Sequence, residues 1–216
     1  MAQNSERKYG GKLSGELEIN ISGRIDEFGI CSNGICQSVC FFSNTIIDGP
    51  ESFRNCENLK TVEFGENILI NSNNTFLGCS SLTKLNAPHG FRLFGNGTFA
   101  RCGFRELVIP KGTVFNKNYS FGECLDLVSV LIEDHVVFIG NNTFKDCSNL
   151  SIVRVRDNVK FLGNGTFSGC GRLETLRLGK NVSVLGEDNF VGCRNITTST
   201  HEENLEIGDE SFIKYA

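Results

Sequence analysis

Ten cysteines carry most of the chemistry this sequence has to offer. Thiols can pair as disulfides, ligate zinc or act as nucleophiles, and each use demands its own geometry. Seven of them share one spacing. Cys56, Cys79, Cys102, Cys124, Cys147, Cys170 and Cys193 stand three residues after Phe53, Phe76, Phe99, Phe121, Phe144, Phe167 and Phe190. Successive pairs are 23 residues apart, with one step of 22. A residue at one fixed phase of a repeat forms a column, and ligands in a single column cannot surround a tetrahedral ion. The expected role is a structural ladder of buried, reduced thiols that act as small hydrophobes.

Cys31, Cys36 and Cys40 fall outside that rhythm. By phase, Cys36 takes a leucine position, Val39 and Phe41 follow as inward residues, and Cys40 points outward. Two readings stay open here: an irregular first coil, or a disulfide or metal site closing the N-terminal cap. A second column is Asn73, Asn96, Asn118, Asn141 and Asn164, each beginning an Asn-x-Thr/Ser sequon. Such sequons accept glycans in secreted proteins. Stacked in adjacent turns, the same side chains can instead satisfy backbone groups of their own and neighbouring coils, and this is the reading the repeat favours. His89, His135 and His201 sit in polar surroundings and read as exposed turn residues. No paired carboxylates, phosphate-binding glycine loop, Cys-His spacing or zinc helix is visible. The expectation is a protein that is not an enzyme and uses no cofactor.

The elements that position these columns come from the rest of the unit. After each cysteine comes an apolar residue (Leu59, Leu82, Leu127, Leu150, Leu173, Ile196), with Phe104 one residue early in the short unit. Then two apolar residues alternate with a variable one, as in Val62 and Phe64, Leu85 and Ala87, Leu107 and Ile109, Val130 and Ile132, Val153 and Val155, Leu176 and Leu178. This is a short strand with one face buried. A turn, a second short apolar stretch and a Gly-Asn-type return complete the unit. One such unit cannot bury its apolar side alone, but stacked units cover one another. The predicted fold is a right-handed solenoid dominated by short parallel strands, with coils about 4.8 Å apart.

The unit F-x-G-N-x-T-F-x-x-C-x-x-L-x-x-V-x-[IV] resembles the BspA-like leucine-rich repeat. The resemblance covers Phe53 to Phe212 well and Leu17 to Phe42 in degenerate form. The usual Gly-x-x-Ala-Phe of that family is here Gly-Asn-x-Thr-Phe. What the resemblance implies is a leucine-rich-repeat fold and a surface or secreted location, since the family occurs on surface proteins of bacteria and protozoan parasites. The expected organisation is a flexible polar stretch at 1–12, then one domain over 13–216. Within it, irregular coils span 17–52, regular repeats 53–204 and an incomplete coil 205–216.

Composition narrows the partners. A net charge of −4 argues against nucleic acid. No apolar run is long enough to insert in a membrane, and the opening MAQNSERKYGGKLSG shows no secretory leader. In a solenoid, packing fixes the inward residues, so partner information lies in the outward set. There Val108, Val128, Leu131 and Ile152 form a small apolar patch edged by Arg105, Arg154 and Arg177, the composition of a protein-binding face. The first expectation is a non-enzymatic binding module for adhesion or interaction, with a protein or a host or matrix ligand as partner. The alternative is a structural protein that self-associates through solenoid ends or edges.

Overall fold

The computed structural model describes residues 17–26, 36–200 and 206–207, with backbone alone for 17–20, 197–200 and 206–207. The expectations placed on 1–12, Cys31, His201 and 208–216 lie outside the described residues. The chain winds as a parallel-strand solenoid, and among the described residues there is no helix.

Two strands form in each coil. The longer set is β1 (Leu17–Ile21), β3 (Cys36–Phe41), β5 (Thr61–Phe64), β7 (Lys84–Asn86), β9 (Glu106–Ile109), β11 (Ser129–Ile132), β13 (Ile152–Val155), β15 (Thr175–Leu178) and β17 (Thr197–Thr200). The two-residue set is β2 (Arg24–Ile25), β4 (Ile46–Ile47), β6 (Leu69–Ile70), β8 (Arg92–Leu93), β10 (Val114–Phe115), β12 (Val137–Phe138), β14 (Lys160–Phe161), β16 (Ser183–Val184) and β18 (Glu206–Ile207). The short strands make one continuous nine-stranded sheet, while the longer strands split into β1-β3-β5-β7 and β17-β15-β13-β11-β9.

The split has a sequence cause. At the end of each longer strand, one N–H bonds the strand of the coil before: Gly65 to Phe41, Glu133 to Ile109, Arg156 to Ile132 and Gly179 to Val155. In the second and third of the regular coils, that position is Pro88 and Pro110. Proline has no N–H to give, so Pro110 drops the bond from β9 back to β7, while Pro88 drops only the last bond from β7 back to β5, which otherwise stay paired. The third of these coils is also the one that is a residue short. Leu85 and Ala87, expected to point inward like their counterparts, are only half-buried, because β9 does not close over β7.

Phenylalanine fills the core. Phe53, Phe76, Phe99, Phe121, Phe144, Phe167 and Phe190 stack face to face, with centroids 5.1 to 5.6 Å apart. A second column, Phe115, Phe138 and Phe161, stacks at 4.9 Å and meets the first edge-on. Coils this close leave no room for a side chain where backbones cross. A Cβ on Gly140 would lie 1.9 Å from the Lys117 carbonyl oxygen, and one on Gly163 would lie 2.1 Å from that of Gly140. Tight turning also needs left-handed backbone. Asn67, Gly90, Gly112, His135, Asn158 and Asn181 occupy one such column, so His135 is a turn residue in a slot otherwise filled by asparagine or glycine.

Candidate functional site

The seven ladder cysteines line one edge of the core. Cys56, Cys79, Cys102, Cys124, Cys147 and Cys170 are buried, and Cys193, in the last regular coil, is half-buried. Among the described residues no disulfide forms. Each thiol from Cys79 onward donates to the carbonyl of the phenylalanine one coil back, at 3.1 to 3.3 Å. Burial pushes the Cys124 thiol well up and that of Cys193 up to about 12, so neither is a ready thiolate. Of the irregular cysteines, Cys36 is buried and Cys40 half-buried. Val39 and Phe41 are fully inside, as their phase requires. No group of three or more metal-ligating side chains converges among the described residues.

The asparagine column is a ladder too. The amide oxygens of Asn73, Asn96, Asn118, Asn141 and Asn164 each accept the backbone N–H of the equivalent residue one coil on, at 2.8 to 3.1 Å. Glu187 receives the last of these bonds without continuing the column. His89 is exposed, with Nδ1 4.0 Å from a Glu133 carboxylate oxygen.

The outward face of β9 to β17 is where the variable residues meet. Strand register places Val108, Leu131, Arg154 and Arg177 in one row, side by side. Val108 is 51% exposed, Leu131 half-buried, and both arginines are exposed. One row over, Ile152 lies between Ser129 and Thr175, diagonal to Leu131. Arg105 and Val128 lie at the strand starts, joined by a Val128 N–H to Arg105 carbonyl bond of 2.8 Å. They line a shallow groove of about 650 Å³ with Asp126, Asn149, Arg172 and Glu174. The patch is thus a diagonal band, not a compact disc.

One exposed apolar feature escaped the sequence reading. Ile139, Leu162 and Leu185 repeat at one phase on the other sheet, 41 to 48% exposed. Each follows an inward residue directly (Phe138, Phe161, Val184), and neighbours on a strand face opposite ways. That adjacency was the available signal.

Comparison with known proteins now bears on the whole chain. The sequence pattern described as BspA type leucine rich repeat region matches in six copies, over residues 18–124 and 114–215. The chain belongs to this family. A crystal structure of a T. pallidum leucine-rich repeat protein is similar at 26% identity and a TM-score of 0.58, with 88% of each chain covered. A leucine-rich repeat protein from Bacteroides ovatus is similar at 15% identity and a TM-score of 0.42, with 94% of this chain and 89% of that one covered. Among curated proteins, none matches. BspA-type repeats belong to the leucine-rich-repeat class, whose solenoids generally bind proteins. Among the described residues, no helix is long and apolar enough to cross a membrane.

Proposed function

We propose that this chain is a non-enzymatic protein-binding module that meets its partner on the outward face of β9 to β17. Leu131 and Arg154 sit toward the centre of that face, with Val108 on its edge strand β9 and Arg105, Val128, Ile152 and Arg177 around them. The observation that carries the reading is the row that sets two apolar side chains beside two arginines. No acid among the described residues pairs with either arginine. Packing does not ask for these residues, since the equivalent row in other coils holds Cys40, Glu63 and Asn86. Arginine is enriched where proteins meet, and the buried centre of such a patch is more apolar than its rim. Because BspA-type repeats are typically surface-associated, we infer an adhesion or interaction role at the cell surface or after secretion.

The test compares the wild type with Leu131→Glu/Arg154→Glu. Melting of the pair should agree within about 0.5 kcal/mol, because both sites face outward. A protein retained by the immobilised wild type and lost by the variant supports this face; equal retention by both overturns it. Self-association is the second reading, and the Ile139, Leu162 and Leu185 stripe is what favours it. Sedimentation of wild type against Leu162→Glu decides: concentration-dependent association that the substitution removes supports it.

A further inference from the structure

We propose that this face selects a partner segment that is apolar at one end and acidic at the other, lying extended across the strands with its acidic end on Arg154 and Arg177. The inference rests on the binding reading above and adds the chemistry of the partner.

Two features at opposite ends of one row carry it. At the first end the sheet is open. Pro110 removes the rung that its position would give from β9 back to the coil of β7, and a cleft of about 480 Å³, lined by both Pro88 and Pro110, lies along the break. Its apolar wall is Leu85, Ala87, Pro88, Val108 and Pro110. Leu85 and Ala87 are core-phase residues that the next coil leaves uncovered, so an apolar side chain seated there completes a core contact the fold leaves unmade. The charges on this cleft are Glu63 and Glu133, with His89 beside Glu133. Acidic groups of a partner are therefore disfavoured at this end.

At the other end the sign reverses. Arg154 and Arg177 are directly paired across β13 and β15, so their guanidinium groups rise from strands about 4.8 Å apart. Like charges at that spacing repel. A carboxylate between them would relieve the repulsion and accept charge-assisted hydrogen bonds from both. The neighbouring groove holds Asp126 and Glu174 alongside Arg105 and Arg172, and among the described residues neither carboxylate forms an ion pair with Arg154 or Arg177.

The distance fixes the segment. From the coil of Asn86 to that of Arg177 there are four coil steps, about 19 Å at about 4.8 Å each. An extended chain covers that in about six residue steps, with Val108 and Leu131 as the apolar floor between. The partner is thus a protein segment of about seven residues, with an aliphatic anchor first and carboxylates last, or the reverse chain direction.

Fluorescent seven-residue peptides test this. Each carries a Val-Leu pair, a Gly-Ser-Gly spacer and two terminal glutamates, made in both chain directions, with glutamine and lysine counterparts. Anisotropy should show a glutamate peptide binding about tenfold more tightly than its glutamine counterpart, with the gap closing as salt rises. Arg154→Gln/Arg177→Gln should erase that gap with melting unchanged, and Val108→Ser should weaken glutamate and glutamine peptides alike. Equal binding of the two peptides, both weakened by Val108→Ser, overturns the acidic selection and leaves the binding face standing. Preference for lysine, or no saturable binding of a glutamate peptide in either direction, overturns the inference outright. The retention experiment with Leu131→Glu/Arg154→Glu judges the face independently.

Discussion

The thiol of Cys147 donates to the main-chain carbonyl of Phe121, one coil back, at 3.2 Å. In the coils of Phe53, Phe76, Phe144 and Phe167 the same carbonyl position is used twice. Phe144 O, for example, accepts the Cys147 N–H at 3.3 Å and the Cys170 thiol at 3.3 Å. Both lone pairs of a buried acceptor are thereby satisfied, which a plain hydrophobe at the cysteine position could not do. A thiol reagent should therefore react slowly with Cys56 to Cys170 in the folded protein and find all ten cysteines after denaturation. Rapid native labelling of most of the column, or a shortfall in the denatured count, would show that the column is open or oxidised.

Phe144 sits 5.4 Å from Phe121 and 5.4 Å from Phe167, centroid to centroid, and touches Phe138 edge-on at 6.0 Å. Truncating it removes contacts with both neighbouring coils. Phe144→Ala should cost about 3–5 kcal/mol. In a stack held by nearest-neighbour contacts, the two halves should also begin to melt separately. Calorimetry reads both effects, and a melting curve that overlays the wild type would mean that the aromatic column contributes little.

Most of the fold was legible because the constraint on it repeats. Phe53 to Phe190 and Cys56 to Cys193 recur at an interval that only stacking explains, and the alternation in Val153-Arg154-Val155 marks the inward residues directly. The asparagine ladder was legible for the same reason. The break between β7 and β9 was harder, because it depends on an N–H that Pro110 lacks toward the coil before. The second phenylalanine column was obscured by its context: in Val137-Phe138-Ile139 every residue is apolar, so composition alone does not say which faces in. At the candidate face the sequence placed Val108, Leu131, Arg154 and Arg177 in one phase. It could not show that a cleft opens beside Val108, since that follows from packing between coils.

Thr143 occupies the position where related repeats carry alanine. Thr75 and Thr98 use their hydroxyls on the carbonyls of Ser72 and Gly95, at 3.2 and 3.0 Å. The buried hydroxyls of Ser120, Thr143 and Thr166 have no such partner among the described residues. A buried, unmade hydrogen bond costs about 1–3 kcal/mol. Thr143→Val keeps the shape and removes the hydroxyl, so it should stabilise the protein by about 1 kcal/mol. Denaturant melting checks this; a loss of stability would mean that the hydroxyl is satisfied in solution.

Tyr119 donates its hydroxyl to Glu123, whose carboxylate also accepts from Arg101 Nε at 2.8 Å. Burial first, and then the bond to Glu123, push the Tyr119 phenol well above its usual range. The Arg101 guanidinium first, and then Tyr119, hold Glu123 below the usual carboxylate range. The signs follow from linkage. The tyrosine contribution is present below the unfolded value of about 10 and is lost as pH rises from there toward the folded value. The glutamate contribution is present above about 4.3 and is lost as pH falls through its folded value. Phenolate absorbance isolates the first effect, because the chain has only three tyrosines. Wild type should show a late-titrating step that Tyr119→Phe lacks, and Glu123→Gln should move that step to lower pH by removing the charge that opposes phenolate. Superimposable titrations of wild type and Tyr119→Phe would rule out a coupled cluster at this turn.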